Sequence, residues 1–264
     1  MKNLIRPLIP NFLLNSFRAY KKNQYLKSVK GHNVECSICN ATFKVFGDYG
    51  HPPRTNANCY NCGSKERHRL LFKYLKDQVK LFEIREPISI LHFAPEGFFY
   101  EILSNSPHIQ YTPCDLQPEL YNFDGTVEVQ KVDITNIPYE DGSFDFILCN
   151  HVLEHIPEDR VAMKELFRVM KEGGHGIFQV PIDYNLDETF EDWSITSPEE
   201  RAKAFGQHDH VRWYGNDYKK RLAAAGFEVD ENTYVKKFSS DEQFKYGFSP
   251  DELIYHCKKS LTND

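Results

Sequence analysis

From residue 88 onward, short apolar segments alternate with stretches of helical periodicity, and this alternation constrains the fold more than any other feature of the chain. The candidate strands cover residues 88–93, 109–114, 144–150, 176–180, 227–235 and 252–257. The candidate helices cover residues 66–82, 159–170 and 216–225. Strands that alternate with helices form βαβ units, which build a parallel sheet with helices on both faces. The pattern therefore predicts a doubly wound α/β domain over residues 88–264.

Several residues between these segments predict where elements begin and end. Ser64 is expected to cap the helix that follows it, and Gly173 and Gly174 are expected to stop the helix that begins at residue 159. The stretch 183–212 is too long for a simple connection, which makes it a candidate functional loop or lid. A connecting helix within residues 66–87 is expected to link the α/β domain to the segment before it.

Four of the seven cysteines form two closely spaced pairs, Cys36 with Cys39 and Cys59 with Cys62. Two such turns let four thiolates converge on one ion, which is typical of a closed tetrahedral zinc site. A rubredoxin-like iron site and a redox pair are the alternatives, and the odd cysteine count argues against a disulfide scaffold. We predict that residues 31–65 form a small zinc-ribbon-like segment, which either supports the fold or helps to recognise a substrate.

Charge is distributed unevenly along the chain. Residues 1–30 contain seven Lys or Arg and no acidic residue, although the whole chain has a formal net charge of -6. This basic, amphipathic arm is expected to lie on an anionic membrane surface or a partner, to pack on the protein itself, or to be a transit peptide. The acidic remainder argues against nucleic acid as a partner. We expect a cytoplasmic protein, with membrane association through the arm as an option.

The first candidate strand of the α/β domain ends in a tight turn. Phe93 is followed by Ala94, Pro95, Glu96 and Gly97, and the second candidate strand ends at Asp115. In a nucleotide-binding crevice the first turn approaches the ligand, and an acidic residue about 20 positions later accepts hydrogen bonds from ribose hydroxyls. The full glycine-rich motif is missing, so a pyrophosphate has no glycine cradle and NAD or FAD is disfavoured.

The next segment carries a more specific signal. Residues 132–156, VDITNIPYEDGSFDFILCNHVLEHI, resemble class I S-adenosylmethionine-dependent methyltransferases, and the similarity continues through LFRVMKEGG at 166–174. In particular the chain resembles a bacterial group in which a four-cysteine segment and an Arg-His-Arg helix, here residues 67–69, precede the methyltransferase domain. In that group a Gln-His-Asp-His-Val-Arg stretch, here residues 207–212, follows the fifth strand. The resemblance covers roughly residues 88–257 and implies a Rossmann-like sheet of seven strands.

The resemblance also implies S-adenosylmethionine as the cofactor. Asp115 would hold the ribose diol, Asp133 and the Ile134 backbone would take the adenine amino edge, and Glu96 and Gly97 would border the methionine end. The candidate cofactor-binding residues are Phe93, Ala94, Glu96, Gly97, Asp115, Leu116, Asp133, Ile134, Asn150 and His151. For Asp115 and Asp133, an Asx turn that caps the loop is the alternative. The turn at residues 94–97 departs from the glycine-rich loop of the family.

Histidines near the strand ends are candidates for the chemistry. Transfer of a methyl group from a sulfonium is an in-line displacement, and a hydroxyl acceptor must lose its proton during the attack, whereas an amine can attack in its neutral form. The candidate catalytic residues are His151, His155, His208, His210 and Asp183. His151 is the first choice as general base, with Asp183 and Glu154 as candidate orienting groups. The stretch 208–212 is an alternative site for an anionic acceptor, through Arg212, or for a second metal.

Three functions are compatible with these patterns. The first is a methyltransferase that acts on an oxygen or nitrogen of a small molecule, or of a saccharide- or lipid-linked intermediate. The second is an RNA or protein methyltransferase that uses the zinc ribbon to recognise its substrate. The third is a cofactor-binding scaffold without catalysis, which the altered first turn keeps open. The oligomeric state is not indicated by the sequence.

Overall fold

The computed structural model describes residues 20–21, 23–50, 52–125 and 127–261. The chain divides into two compact units. Unit 1 contains the described residues up to Val79 together with Val235–Glu252, and unit 2 contains Lys80–Tyr234 together with the described residues from Leu253 onward. The segment 235–252, which the sequence pattern placed in the domain of residues 88–264, thus groups with unit 1. Most of the basic arm predicted at residues 1–30 lies outside the described residues.

The elements are numbered in chain order. The strands are β1 (Lys30–Glu35), β2 (Thr42–Phe43), β3 (Gly47–Tyr49), β4 (Arg54–Asn58), β5 (Ile88–Phe93), β6 (Ile109–Asp115), β7 (Gln130–Lys131), β8 (Phe144–Asn150), β9 (Met170–Gln179), β10 (Phe190–Glu191), β11 (Arg212–Trp213), β12 (Glu228–Asn232) and β13 (Ile254–Lys258). The helices are α1 (Glu66–Asp77), α2 (Gly97–Ser104), α3 (Asp159–Val169), α4 (Pro198–Phe205), α5 (Tyr218–Ala224) and α6 (Ser240–Tyr246). Within the described ranges, no helix has the length and apolar composition needed to cross a bilayer.

Unit 2 is built on a seven-stranded sheet in the order β12-β13-β9-β8-β5-β6-β7. Strands β5 to β9 run parallel, and β13 lies antiparallel between β9 and β12. From β5 the chain moves outward to β6 and β7, then returns to β8 on the other side of β5. In open α/β sheets the ligand crevice lies at the carboxyl ends of the strands, at such a reversal of strand order. The predicted doubly wound sheet of seven strands is therefore confirmed.

Burial explains why the central strands form where the sequence is apolar. All residues of β8 from Phe146 to Asn150 are buried, since a parallel strand is covered on both faces. Helix α3 is amphipathic instead, and its inward positions include Met163, Leu166 and Val169, all fully buried. Each such side chain contributes about 1.5–3 kcal/mol relative to an exposed one.

The predicted end of α3 was wrong. The helix ends at Val169, and Gly173 and Gly174 lie within β9 instead of stopping the helix. The reason is that Met170 already pairs with Phe144 of β8, and the register shifts beyond that pair. The two glycines therefore belong to the irregular start of a strand, where the chain also exchanges backbone hydrogen bonds with Lys259.

The stretch 183–212 is a folded insertion. It contains β10 and α4, and β10 pairs with β11 through Phe190 with Trp213 and Glu191 with Arg212. Ser197 caps α4 by accepting a hydrogen bond from the Glu200 backbone, and Gly206 ends the helix in the left-handed conformation. These local signals explain why so long a stretch can be ordered.

Unit 1 contains two short hairpins, β1 with β2 and β3 with β4, together with α1 and α6. Helix α1 is preceded by Lys65 at its N-cap, so the prediction that Ser64 caps it was wrong. The predicted helix over 66–82 also ends earlier, at Asp77. Helix α6 begins with a capping box between Ser239 and Glu242.

Arg69 of α1 is completely buried inside unit 1. Its guanidinium donates to the backbone carbonyls of Asn56 (3.4 Å), Ala57 (2.9 Å), Ser64 (2.8 Å), Tyr246 (2.7 Å) and Gly247 (2.9 Å). The Phe46 ring lies 4.0 Å from the guanidinium carbon. All donors of Arg69 are therefore directed at the protein, and Arg69 joins β4, the turn before α1 and the end of α6.

We expect Arg69→Met to destabilise unit 1 by at least about 3 kcal/mol, because each buried carbonyl that loses its donor costs about 1–3 kcal/mol. Hydrogen exchange of the backbone amides in α1 and α6 measures this loss separately for unit 1. The matched control is Lys76→Met on an exposed position of the same helix, which should change stability by less than about 0.5 kcal/mol. Equal amide protection in the two variants would contradict this role of Arg69.

Candidate functional site

The carboxyl ends of β5 and β8 lie side by side, and each is followed by a strained residue. Ala94, after β5, has a φ of 49°, and His151, after β8, has a φ of 55°. Residues other than glycine adopt this left-handed conformation only at a cost, and such strain often accompanies functional sites. Both chain reversals are held by the sheet, because the Ala94 amide donates to the Cys114 carbonyl (3.0 Å) and the His151 amide donates to the Gln179 carbonyl (2.7 Å).

Asp115 ends β6, next to β5. One carboxylate oxygen accepts from the Gln117 amide (2.8 Å), and the other accepts from the Tyr121 hydroxyl (2.7 Å). The Asx turn that was weighed as the alternative is therefore formed. A carboxylate oxygen has two lone pairs, so Asp115 can still accept further hydrogen bonds from a bound diol. Leu116, the next residue, is 52% exposed, which leaves an apolar side chain available to a planar ligand.

Asp133 also forms an Asx turn, in which one carboxylate oxygen accepts from the Thr135 amide (2.9 Å) and hydroxyl (2.7 Å). The turn is completed by a backbone hydrogen bond from Asn136 to the Asp133 carbonyl (3.0 Å). Ile134 is buried beneath it. Asp133, an exposed residue, is therefore held on an anchored turn.

The turn after β5 is organised by a histidine that the sequence analysis missed. His92 is fully buried, and its ring nitrogens lie 2.9 Å from the Tyr111 hydroxyl and 3.0 Å from the Glu96 carboxylate. Glu96 immediately precedes α2, which begins at Gly97. The hydrogen bonds that link Tyr111, His92 and Glu96 therefore fix the start of that helix. The feature of the sequence that could have indicated this role of His92 is a single histidine inside a largely apolar strand.

Asn150, the last residue of β8, places a buried side-chain amide at this edge of the sheet. Its side chain is buried, and among the described residues neither the amide nitrogen nor the amide oxygen has a hydrogen-bond partner. An unsatisfied buried amide costs free energy, and native proteins seldom tolerate both atoms unpaired. A polar ligand at the carboxyl end of β8 would satisfy it, which fits the predicted cofactor contact.

Three of the four candidate histidines gather around Glu154. His151 Nδ1 lies 3.2 Å from one Glu154 carboxylate oxygen, and the His155 and His210 rings are in edge contact with centroids 4.8 Å apart. His155 Nδ1 in turn lies 3.3 Å from the Asp209 carbonyl oxygen. His151 Nε2 and the second Glu154 oxygen are buried with no hydrogen-bond partner among the described residues.

The neighbouring histidines favour the ionised form of the Glu154 carboxylate at the centre of this cluster. Burial by itself would raise the pKa of Glu154, but the hydrogen bond from His151 and the charges of His151 and His155 bring its pKa below the usual value. Burial lowers the pKa of His210, against the opposing effect of Glu154. Near neutral pH the cluster therefore combines an ionised carboxylate with a neutral His210 imidazole.

His208 and Asp183 do not join this cluster. The His208 side chain is 70% exposed, and its ring lies 3.8 Å from the Asp209 carboxylate. The Asp183 carboxylate accepts from the backbone and side-chain amides of Asn185 at 3.0 and 2.8 Å, in a turn of its own. The structure therefore gives no support to either residue as a participant in the chemistry.

Arg212 is not available to an anionic acceptor, so that alternative was wrong. Its side chain is fully buried, and its guanidinium donates to the carbonyls of Leu153 (2.9 Å), Ile156 and Pro157 (2.8 Å). It also pairs with Glu191 (2.8 Å) and Asp159 (3.7 Å). Arg212 therefore fixes the loop that carries Glu154 and His155.

A cavity of about 460 Å³ lies beside the segment that follows β6. Its wall includes the aromatic rings of Tyr100, Tyr121 and Phe123. Tyr121 is the donor to Asp115, so the cavity and the end of β6 share one side chain. The cavity is lined by residues other than the predicted cofactor contacts.

The four paired cysteines converge in unit 1. Their sulfur atoms all lie within 4.8 Å of one another, and Cys36–Cys62 and Cys39–Cys59 are each 3.7 Å apart. Sulfurs on a tetrahedral zinc, each about 2.3 Å from the ion, stand roughly 3.8 Å apart, so this donor set fits zinc. The Ser64 hydroxyl lies 3.2 Å from the Cys62 sulfur and 3.4 Å from the Cys36 sulfur, where it can donate to thiolates.

Part of unit 2 is similar to a known protein family. Residues 94–178 match a family model described as "Methyltransferase domain". The match runs from the turn after β5 into β9, so it contains Asp115, Asp133 and Asn150. The strand ends of the candidate site therefore lie inside the segment of unit 2 that is similar to methyltransferase domains.

Similar proteins match different shares of this chain. The demethylmenaquinone methyltransferase of Staphylococcus haemolyticus is 45% identical over 42 residues, which are 16% of this chain and 18% of that protein. The chain therefore spans less than a fifth of the length of that relative. A solved SAM-dependent methyltransferase from Aquifex aeolicus shares 19% identity with a TM-score of 0.42, covering 72% of this chain and 96% of that one. A structure from Methanosarcina mazei shares 16% with a TM-score of 0.42, covering 70% and 98%.

Proposed function

We propose that this protein transfers a methyl group from S-adenosylmethionine to an oxygen or nitrogen of a small molecule, or of a saccharide- or lipid-linked intermediate. The observation that carries the proposal is the methyltransferase-domain match over the strand ends that hold Asp115, Asp133 and Asn150. The bound sulfonium would supply an electrophilic methyl group. The protein's own contribution would be to hold donor and acceptor in line and to exclude water.

The residues at the sheet edge suit this ligand in different ways. Asp115 offers a carboxylate to the ribose diol, beside the exposed Leu116 for one face of the adenine. Asp133 offers a second carboxylate on a rigid turn. The unpaired amide of Asn150 would be satisfied by a polar ligand at the end of β8. Together these groups match an amphipathic nucleoside with a charged tail.

A hydroxyl acceptor is favoured by the pair of His151 and Glu154. The carboxylate oxygen accepts from His151 Nδ1, which leaves the lone pair of the neutral imidazole on Nε2. That nitrogen is buried and has no partner among the described residues. An oriented imidazole with a free Nε2 is the arrangement of a general base, which a hydroxyl needs.

Zinc bound by Cys36, Cys39, Cys59 and Cys62 is part of the proposal. Four thiolates saturate a tetrahedral ion, so its role would be structural. The basic residues of the arm, at 1–30, support peripheral contact with another partner or with an anionic membrane surface. A lipid-linked acceptor would be found at such a membrane surface.

Asp115→Asn should weaken binding of S-adenosylmethionine at least about tenfold, because hydrogen bonds to a charged group contribute about 1.5–3 kcal/mol. Isothermal titration calorimetry with the methyl donor and with S-adenosylhomocysteine measures the change. Asp192→Asn is the matched control, since Asp192 forms the same kind of Asx turn with Ser194 on an exposed loop. Absence of binding by the unmodified protein would refute the proposed function.

Replacing His151 with Gln should lower kcat for a hydroxyl acceptor by about 100-fold or more, with a much smaller effect on the affinity for S-adenosylhomocysteine. The acceptor is found by transferring radiolabelled methyl groups to glycan, lipid, RNA and protein fractions. His208→Gln, at an exposed histidine, is the control and should keep full activity. Full activity of His151→Gln as well would exclude His151 as the base and favour an amine acceptor.

Cys39→Ser should release the zinc that remains after dialysis against a weak chelator, and should reduce hydrogen-exchange protection throughout unit 1. Elemental analysis of the folded protein measures the metal. Cys257→Ala, at a buried cysteine of unit 2, is the control and should retain it. Well under one zinc per chain in the folded, unmodified protein would contradict the structural zinc site.

A further inference from the structure

Glu154, His155 and His210 offer three ligand atoms that all lie within 4.8 Å of one another. Glu154 and His155 belong to the single helical turn after β8, and His210 belongs to the stretch before β11. Two imidazoles with one carboxylate are a donor set used by catalytic zinc and by non-haem iron sites. The set differs chemically from the four thiolates of unit 1.

The hydrogen bonds of both histidines prepare them as ligands. His210 Nδ1 lies 3.0 Å from the Phe205 carbonyl, and His155 Nδ1 lies 3.3 Å from the Asp209 carbonyl. Because a carbonyl can only accept, each Nδ1 carries the proton, and the lone pair of each neutral ring is on Nε2. Histidines that bind metals usually donate their other ring nitrogen in this way, which fixes tautomer and orientation.

Glu154 supplies an independent indication that a cation would be stabilised here. Its side chain is 2% exposed, and one oxygen faces His151 Nδ1 at 3.2 Å. The second oxygen is buried without a hydrogen-bond partner among the described residues. An ionised carboxylate oxygen in that position has a large desolvation cost, which a cation would remove.

We propose that Glu154, His155 and His210 bind a divalent first-row transition-metal ion at the end of β8. Ligand atoms on one zinc stand about 3.3 Å apart, so small side-chain rotations would close the present separations. The His155 side chain is 29% exposed, which provides a path for the ion from solvent. Three protein ligands leave coordination positions open to water or to an oxygen of another molecule.

The open positions would lie beside His151, where the proposed function places the acceptor. An ion there would hold the acceptor oxygen and ease the loss of its proton to His151. This role depends on the proposed methyl transfer, whereas binding of the ion does not. Binding is therefore measured without cofactor or acceptor, so that failure of one proposal is distinguishable from failure of the other.

The experiment is a titration of the dialysed, zinc-retaining protein with Co²⁺, followed by visible spectroscopy, and with Zn²⁺, followed by calorimetry. We expect one additional ion per chain, with cobalt bands typical of nitrogen and oxygen ligands and without new thiolate charge transfer. His155→Ala and Glu154→Gln should each weaken this binding at least tenfold. His155 is partly exposed, so its variant keeps the test valid even if Glu154→Gln folds poorly.

His208→Ala is the matched control, because this exposed histidine is two residues from His210 and outside the donor set. It should bind the additional ion as the unmodified protein does. The proposal is overturned if only thiolate-bound metal is found. Equal binding of the additional ion by the His155, Glu154 and His208 variants would also overturn it, because the ion would then be bound elsewhere.

Discussion

A buried arginine holds the functional loop of each unit. Arg212 donates to the carbonyls at residues 153, 156 and 157, and these hydrogen bonds fix the turn that presents Glu154 and His155. Arg69 does the same in unit 1, where its guanidinium holds the backbone at 56, 57 and 64, next to the cysteine cluster. Irregular loops cannot satisfy their own carbonyls, and a planar group with five donors satisfies several at once. The two loops that carry the proposed ligand groups therefore each depend on an arginine whose own donors are directed at the rest of the protein.

The same constraint explains why the site can store strain. His151 stands in the left-handed region, and Asn150 beside it leaves a buried amide unpaired. Each feature costs free energy and persists only where the surrounding structure determines the conformation. Here the adjoining strands β5, β8 and β9 determine the backbone up to residue 150, and Arg212 determines it from residue 153. The segment 151–152 between them is therefore fixed in a conformation that costs folding free energy and that a ligand would stabilise.

The sequence predicts the sheet well because local periodicity and burial agree in its strands. It also indicates the two cysteine pairs and the histidine-rich stretch, since the residues within each pair and within the stretch are close in the sequence. It fails for Arg69 and Arg212, because a basic residue in a polar motif gives no sign of being buried; Arg212 was expected to contact an anionic acceptor. It fails equally for residues 235–252, whose place in unit 1 rests on contacts with residues nearly 180 positions away, such as Arg69 with Tyr246.

Glu154 connects the two proposals made for unit 2 through a single carboxylate. One oxygen accepts from His151, and the other is buried without a partner among the described residues, so the same negative charge would serve a base and the proposed metal. A cation on the second oxygen withdraws charge from the first, which makes His151 a weaker base. The same cation makes a bound hydroxyl more acidic, so the proton to be removed is held less tightly. The ion would thus lower the basicity of His151 and, at the same time, raise the acidity of the hydroxyl that His151 deprotonates. Because these two changes have opposite effects on the proton transfer, the gain in hydroxyl acidity would offset the loss of His151 basicity.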